Sequence, residues 1–467
     1  MKRRLSVLLG TVSIALTAVG CNQSNVGAID SGLAPAVDSG PPDAGQQRDA
    51  GTVVHDAGTP DGGVAPIDAG PALSPESAAC IADRHSEDCW LEWLKEVRPV
   101  TFTPVARGQL GAGPWPTTPT VELGRSVGIT EGIVGASVDT GQNQYAVSEN
   151  AFYVRRAGAA SFERYARNTN GLRDYSMLSV AGGGPGIAYI GYEGVFTTNV
   201  DVTQDPPEIR TSGDVQEIHL QASGFTATTW DTHNSNTPLT GKFDHSRSIY
   251  ELHVPWRGPA AGEVFLGTEH GVDRYQGTQV ADHRHIATDV PNPDGTTSQR
   301  FGATKAMRVK DDGTVWYGND WRFGGLPWTP RLAEWYVGSE WLFPMHAFGG
   351  QFDRNYNEGI DVDSKGNVWV GARTYGLAHL LIGPNKHFQL ETFDVPDSNI
   401  EDVLADLDDT IWLATNGGLF RFTPATKAWT RFASVKSGVT KLFLDDAVVP
   451  RAIYIAAGQG VVVYRGP

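Results

Sequence analysis

An apolar strand carrying a large ring, a short polar turn, a glycine and a second apolar strand recur seven times after residue 115. The rings are Tyr145, Tyr189, Phe265, Trp316, Trp369, Trp412 and Tyr454, separated by 44, 76, 51, 53, 43 and 42 residues. Short apolar runs bounded by Gly, Asn and Asp read as strands joined by tight turns. A small sheet built from such strands has two apolar faces and cannot bury them alone. Radial stacking buries both, so a period near 40 to 50 residues predicts the four-stranded blades of a propeller. We read residues 115–467 as an all-β, seven-bladed β-propeller. The 76-residue interval is expected to hold one blade, its Ala188-Tyr189-Ile190-Gly191 strand pairing with Gly194-Val195-Phe196, and a long insertion around 200–245. The last blade is one strand short, and residues 118–123 are expected to supply its outer edge, because an open edge invites aggregation.

Loops such as Asp311-Asp312-Gly313 and Asp363-Ser364-Lys365-Gly366-Asn367 enter the ring-bearing strands as hairpin turns do. These units resemble the two-component-regulator propeller repeat, with its aspartate, turn glycine, strand tryptophan and second glycine. The match is fullest over residues 363–380 and 408–422, looser over 263–275 and 311–326, and thin around Tyr145, Tyr189 and Tyr454. The resemblance implies a ligand-sensing module of the bacterial periplasm. Related propellers include enzymes acting on polysaccharides, lactones and cyclic peptides.

Ahead of the repeats the composition changes. Lys2, Arg3 and Arg4 precede a mainly small and apolar run over 5–19, which has the form of a signal peptide and is short for a membrane span. It ends Thr17-Ala18-Val19-Gly20-Cys21, which resembles the lipobox of bacterial lipoproteins. That resemblance implies cleavage after residue 20, a lipid on Cys21, and, with Asn22 next, an outer-membrane location facing the periplasm or the surface. Residues 21–73 are rich in Gly, Pro, Ala and Asp and cannot bury a core, so they are expected to be a disordered, hydrated tether. Residues 74–114 suggest short helical pieces. Cys80 and Cys89 are too far apart to bond along one straight helix, but a turn between them would allow a disulfide in an oxidising compartment. Removing the leader takes the formal charge from -16 to -19, which argues against nucleic acid as a partner.

In a propeller, the turns between second and third strands and the blade-to-blade connections share one face. That face is expected to carry Glu149, Tyr192, Glu193, Glu269, His270, Trp321, Arg322, Arg373, Tyr375, Asn416 and Gln459, a polar and aromatic rim suited to a glycan, peptide or protein. The stretch from Trp230 to Asn236 is either a binding loop over this rim or a blade decoration. No cofactor is expected. The sequence shows no HExxH, no GxSxG and no cysteine outside the lipid and staple positions, so a catalytic metal or a covalent nucleophile has little support. Asp353-x-Asn355-x-Asn357-x-Gly359 has a calcium-loop flavour with its glycine late. The reading is thus a lipid-anchored envelope binding or scaffold protein, not expected to be an enzyme. The alternative is an exported hydrolase or lyase acting on a polysaccharide or lactone, with Glu193 and Glu269 as a carboxylate pair.

Overall fold

The computed structural model describes residues 127–465 except 195–213, 231, 233–247, 269–270, 278, 286, 292–296, 302, 321–322, 327, 329–340, 343–355, 374–375, 383–387, 394, 398 and 436–437. The chain forms two units, Met1–Ile67 and Asp68–Pro467, and every described residue belongs to the second. The leader, tether, cysteines and residues 118–123 therefore lie outside the described residues.

Seven antiparallel sheets follow one another. The first is β1 (Gly135–Val138), β2 (Gln144–Ser148), β3 (Ala151–Arg155) and β4 (Glu163–Ala166). The second is β5 (Met177–Gly182), β6 (Ile187–Tyr192), β7 (Val215–Leu220) and β8 (Phe225–Trp230). The third is β9 (Ile249–His253), β10 (Val264–Thr268), β11 (Gly271–Gln276) and β12 (Gln279–His285), followed in the chain by a hairpin of β13 (Ala287–Pro291) and β14 (Thr297–Phe301). The fourth is β15 (Ala306–Val309), β16 (Val315–Gly318), β17 (Phe323–Leu326) and β18 (Trp341–Leu342), and the fifth is β19 (Asn357–Val362), β20 (Val368–Ala372), β21 (Gly376–Ile382) and β22 (Phe388–Phe393). The sixth is β23 (Ile400–Ala405), β24 (Ile411–Thr415), β25 (Gly418–Thr423) and β26 (Ala428–Phe432), and the seventh is β27 (Val439–Asp445), β28 (Ala452–Ala457) and β29 (Gly460–Arg465). Each first strand packs on the next, β1 on β5, β5 on β9, and so on to β27, which returns to β1. The fold is an all-β, seven-bladed β-propeller, and among the described residues there is no helix.

The ring residues do what radial stacking requires. Trp412 lies 4.9 Å from Phe432 and 4.7 Å from Tyr464 of the next blade, and Trp369 lies 5.9 Å from Phe422 of its neighbour. In blades 1, 5 and 6 the innermost strand is followed at once by Asp139, Asp363 or Asp406. Each carboxylate accepts from the ring six residues on: Tyr145 Oη at 2.6 Å, Trp369 Nε1 at 3.2 Å and Trp412 Nε1 at 2.8 Å. The repeated aspartate thus fixes both the turn and the ring that fills the gap between blades.

Innermost strands of adjacent blades do not pair through their backbones, and side chains join them instead. The Ser137 hydroxyl accepts from Gly182 N at 2.9 Å, and the Ser179 hydroxyl donates to Ile249 O at 2.8 Å. Asp361 Oδ2 accepts from Ala405 N at 2.8 Å, and Asp402 Oδ2 from Leu442 N at 2.9 Å. Thr440 Oγ1 reaches Val134 O at 3.1 Å and so closes the ring between last and first blades. Gly182 is required here, since a Cβ would stand 2.2 Å from Val138 O.

Blade 2 departs from the sequence expectation. β6 pairs with Val215–Leu220, Gly191 opposite Val215, in the place the sequence suggested for Gly194-Val195-Phe196, of which 195 and 196 lie outside the described residues. Residues 215–230 are accordingly the blade's outer strands and not an insertion. The physical reason is burial: Val215, Gln216 and Ile218 turn inward and are almost wholly buried. Trp230 ends β8, 5.3 Å from Tyr189 and 5.5 Å from Tyr275, so it packs between blades and belongs to no rim loop. In blade 7, Val461 to Tyr464 of β29 are buried although the sheet has three described strands.

Candidate functional site

The seven innermost strands surround a channel, and a cavity of about 380 Å³ occupies one end of it. Its walls come from β1, β5, β9, β15, β19, β23 and β27 together with the turns that follow several of them. Exposed Ser364 and half-exposed Asp312, Leu407 and Asp446 line the opening, which places the mouth on the face of the first-to-second-strand turns.

The wall is chemically lopsided. Blades 1 and 2 contribute Gly135, Ala136, Ser179 and Val180, small and uncharged. Blades 3 to 7 bring charges, with carboxylates in excess, and each lining cation faces one. Arg308 Nη2 lies 2.8 Å from both Asp402 oxygens, Lys310 Nζ lies 2.8 Å from Asp361 Oδ1, and Lys441 Nζ rests against the Glu251 carboxylate. At the mouth, Arg257 of blade 3 donates to Asp311 Oδ2 at 2.6 Å and to Asp446 of blade 7, bridging the channel. Gly258 makes this possible: its φ is +80°, and a Cβ would stand 1.9 Å from Asp311 O. Trp256 and Phe443 meet across the same opening with ring centres 5.7 Å apart.

Pairing and burial compete over the ionisation, and at Glu251 burial wins, holding its carboxyl above the usual range although Lys441 rests against it. Burial opposes charge on Asp361, yet Lys310 and Arg308 hold its carboxyl below the usual range. Burial also opposes charge on Lys441, but Glu251 and Asp402 keep its ammonium above its usual range. His253 has no such help. Burial, with Arg308 and Lys310 nearby, pushes its imidazole down to about 3 against the partial offset of Asp361. Its Nδ1 is buried and has no hydrogen-bond partner among the described residues.

A linkage prediction follows. The unfolded chain protonates this histidine below about pH 6.5, whereas the folded chain keeps it neutral down to about 3. Stability is therefore full above the unfolded value and falls on acidification, by at most about 1.4 kcal/mol per pH unit from this group. Urea unfolding of His253→Phe and the parent between pH 7 and 4.5 is expected to show a shallower acid loss in the variant. Equal slopes would assign the loss to other groups.

Lys310 is a departure from the repeat. Its backbone N–H donates to Thr314 O at 2.9 Å, in the same turn that Asp139, Asp363 and Asp406 make, yet it replaces their aspartate. Its ammonium goes to the channel instead of to the ring six residues on. Sequence reasoning missed this wall entirely. A missing aspartate in an otherwise regular turn is the signal that could have found it.

The rim residues are distributed as follows. Glu149, Glu193, Arg373, Asn416 and Gln459 sit on or beside turns between second and third strands, at the opposite end of the strands from the cavity mouth. Arg373 Nη2 donates to Glu401 Oε2 at 3.1 Å and lies 3.7 Å from Glu358, and Gln459 Nε2 donates to Ser434 O at 2.9 Å. Glu149, Glu193 and Asn416 are exposed. Tyr192 is fully buried, its hydroxyl given to Gln216 Oε1 at 2.5 Å, and so packs the blade 2 core rather than the rim. Glu269, His270, Trp321, Arg322 and Tyr375 lie outside the described residues. The same holds for the start of the calcium-like loop, while its Asp361 faces Lys310. Among the described residues no group of three or more His, Cys, Asp or Glu is placed to hold a metal.

Compared with protein families and with curated protein sequences, the chain matches none. Among solved structures it is similar to YCF48 bound to a D1 peptide, with 14% identity over 77% of this chain and 99% of that one and a TM-score of 0.46. It is also similar to virginiamycin B lyase from Staphylococcus aureus, with 12% identity, 72% and 94% covered, and a TM-score of 0.45. A chain of the mitotic checkpoint complex gives 11% identity, 77% and 99% covered, and 0.46.

Proposed function

We propose that this protein is a lipid-tethered binding module of the bacterial cell envelope, taking its ligand into the channel of the propeller. The observation that carries the binding half is the charged cavity, in which Arg257, Arg308, Lys310 and Lys441 each face a carboxylate and further carboxylates line the mouth. The tethering half rests on the basic and apolar leader, Cys21, and the Asp- and Gly-rich stretch behind it.

Two measurements test the halves separately. Cys21→Ala is expected to move the protein out of the bacterial membrane fraction, and retention of the full-length variant there would exclude the lipid anchor. Glycan and peptide arrays probed with residues 22–467, followed by product analysis on every hit, test binding against turnover. Cleavage of a hit would replace this reading with that of an exported hydrolase or lyase.

A further inference from the structure

Given the reading that the channel is the binding site, the charge of its wall selects the ligand. Of the described residues that line the cavity, six carry carboxylates and four carry cations. Asp312 and Asp363, at the mouth, are the two carboxylates that face no lysine or arginine among the described residues. Asp312 accepts from Thr314 N at 2.8 Å through Oδ1, which leaves Oδ2 without a donor from any described residue. Burial opposes charge on Asp363, yet His379, Asn367 and Trp369 around it hold its carboxyl below the usual range.

Deeper in the channel, Glu251 points the same way. It lines the cavity with its side chain 10% exposed, and its Oε2 rests against Lys441. Beyond that contact it accepts no hydrogen bond from any described residue. Lys441 alone does not offset its burial, so the carboxyl stays above its usual range, and a second cation would complete the compensation. The wall's unused capacity is thus carboxylate oxygen at two levels. An ammonium group offers donors only and brings the missing charge, whereas an alcohol brings no charge and an acid adds to the excess. Between the two levels Val254, Val309, Val362 and Leu444 present hydrocarbon. From Glu251 to the turn at Val254 the strand rises about 10 Å, at about 3.3 Å per residue.

We propose that the channel takes a linear aliphatic diamine or polyamine, with one ammonium beside Asp312 and Asp363, a second on Glu251, and the methylenes between them against Val254, Val309, Val362 and Leu444. The Trp256 and Phe443 rings, 5.7 Å apart at the opening, give the outer ammonium aromatic faces. A volume near 380 Å³ lies within the range of small-molecule sites. Two ligand charges equal the excess of the wall, six carboxylates less four cations.

The test uses four probes on one carbon frame: 1,8-diaminooctane, octylamine, 1,8-octanediol and octanedioate, titrated at pH 7 against the intact chain by calorimetry. The diamine is expected to bind about tenfold or more tighter than octylamine, as a second charge-assisted hydrogen bond allows, and both amines are expected to bind tighter than the diol and the diacid. Pairing Glu251→Gln with Lys441→Gln keeps the net charge and strands neither partner. It is expected to bring the diamine down to the affinity of octylamine. Asp312→Asn, at the half-exposed mouth, is expected to weaken both amines by about threefold. Leu444→Trp fills the cavity and is expected to abolish binding of both, with thermal unfolding confirming that each variant is folded. Absence of diamine binding, a diol or diacid binding as tightly, or an unchanged preference for the diamine when Glu251→Gln and Lys441→Gln are combined overturns the proposed ligand chemistry. Binding that survives Leu444→Trp in a folded protein overturns instead the channel as the site.

Discussion

Asp402→Ala is expected to lower the unfolding free energy by about 3–5 kcal/mol, the cost of leaving a buried charge without its partner. Asp402 is 1% exposed and holds three things at once: Arg308 Nη2 at 2.8 Å, Val403 N at 2.9 Å and Leu442 N at 2.9 Å. The last of these ties blade 6 to blade 7. Alanine strands the guanidinium in the channel and leaves a backbone donor facing an empty space. Asp402→Asn preserves the shape and one acceptor and is expected to cost less. Pairing Arg308→Met with Asp402→Asn removes the stranded charge and is expected to cost less than the two single changes added together, because contacting residues do not contribute independently. Urea unfolding curves measure these variants together with Arg308→Met alone, and a loss below about 1 kcal/mol for Asp402→Ala would show that water reaches this level of the channel.

Two aspartates in equivalent turns are expected to differ. Asp363→Ala removes the acceptor for Trp369 Nε1 at 3.2 Å and Asn367 Nδ2 at 3.1 Å and is expected to cost about 1–3 kcal/mol. Asp406→Ala removes the acceptor for Trp412 Nε1 at 2.8 Å and also takes the carboxylate from Arg451, whose Nη2 lies 2.6 Å away. Both members of that pair are fully buried. The expected cost is about 3–5 kcal/mol. Parallel denaturation of the two variants decides the point, and equal costs would mean that the turn alone accounts for the aspartate's contribution.

The fold was legible wherever local pattern and tertiary role coincide. Trp369 and Trp412 sit in strands buried on both faces, each introduced by a polar turn and followed by a glycine, so blades 5 and 6 announce themselves. Blade 2 misled because Gly194-Val195-Phe196 imitates a third strand, whereas the actual one, Val215–Leu220, carries Glu217 and His219 and follows a long interval. The innermost strands were harder still. Gly135–Val138 is four small residues with no period to detect. The channel wall was illegible for a different reason: Glu251, Arg308, Lys310, Asp361, Asp402 and Lys441 come from five blades, and in one dimension each reads as an ordinary solvated charge. Only closure of the ring makes them neighbours. The rim residues were found by topology, which gives the face on which a turn lies but not whether a side chain such as Tyr192 points away from it.

The side-chain ties between innermost strands bear on how the chain reaches its final form. Thr440 bonds a residue 306 positions earlier, so the closing contact carries a large loop-closure entropy and has to form late. Until residues 439–465 emerge, the face of blade 6 that receives Tyr464 and the face of blade 1 that receives Tyr454 are both uncovered. The chain therefore spends its interval of greatest exposure just before the ring closes, and the hazard of misassembly is concentrated in the time needed to dock blade 7.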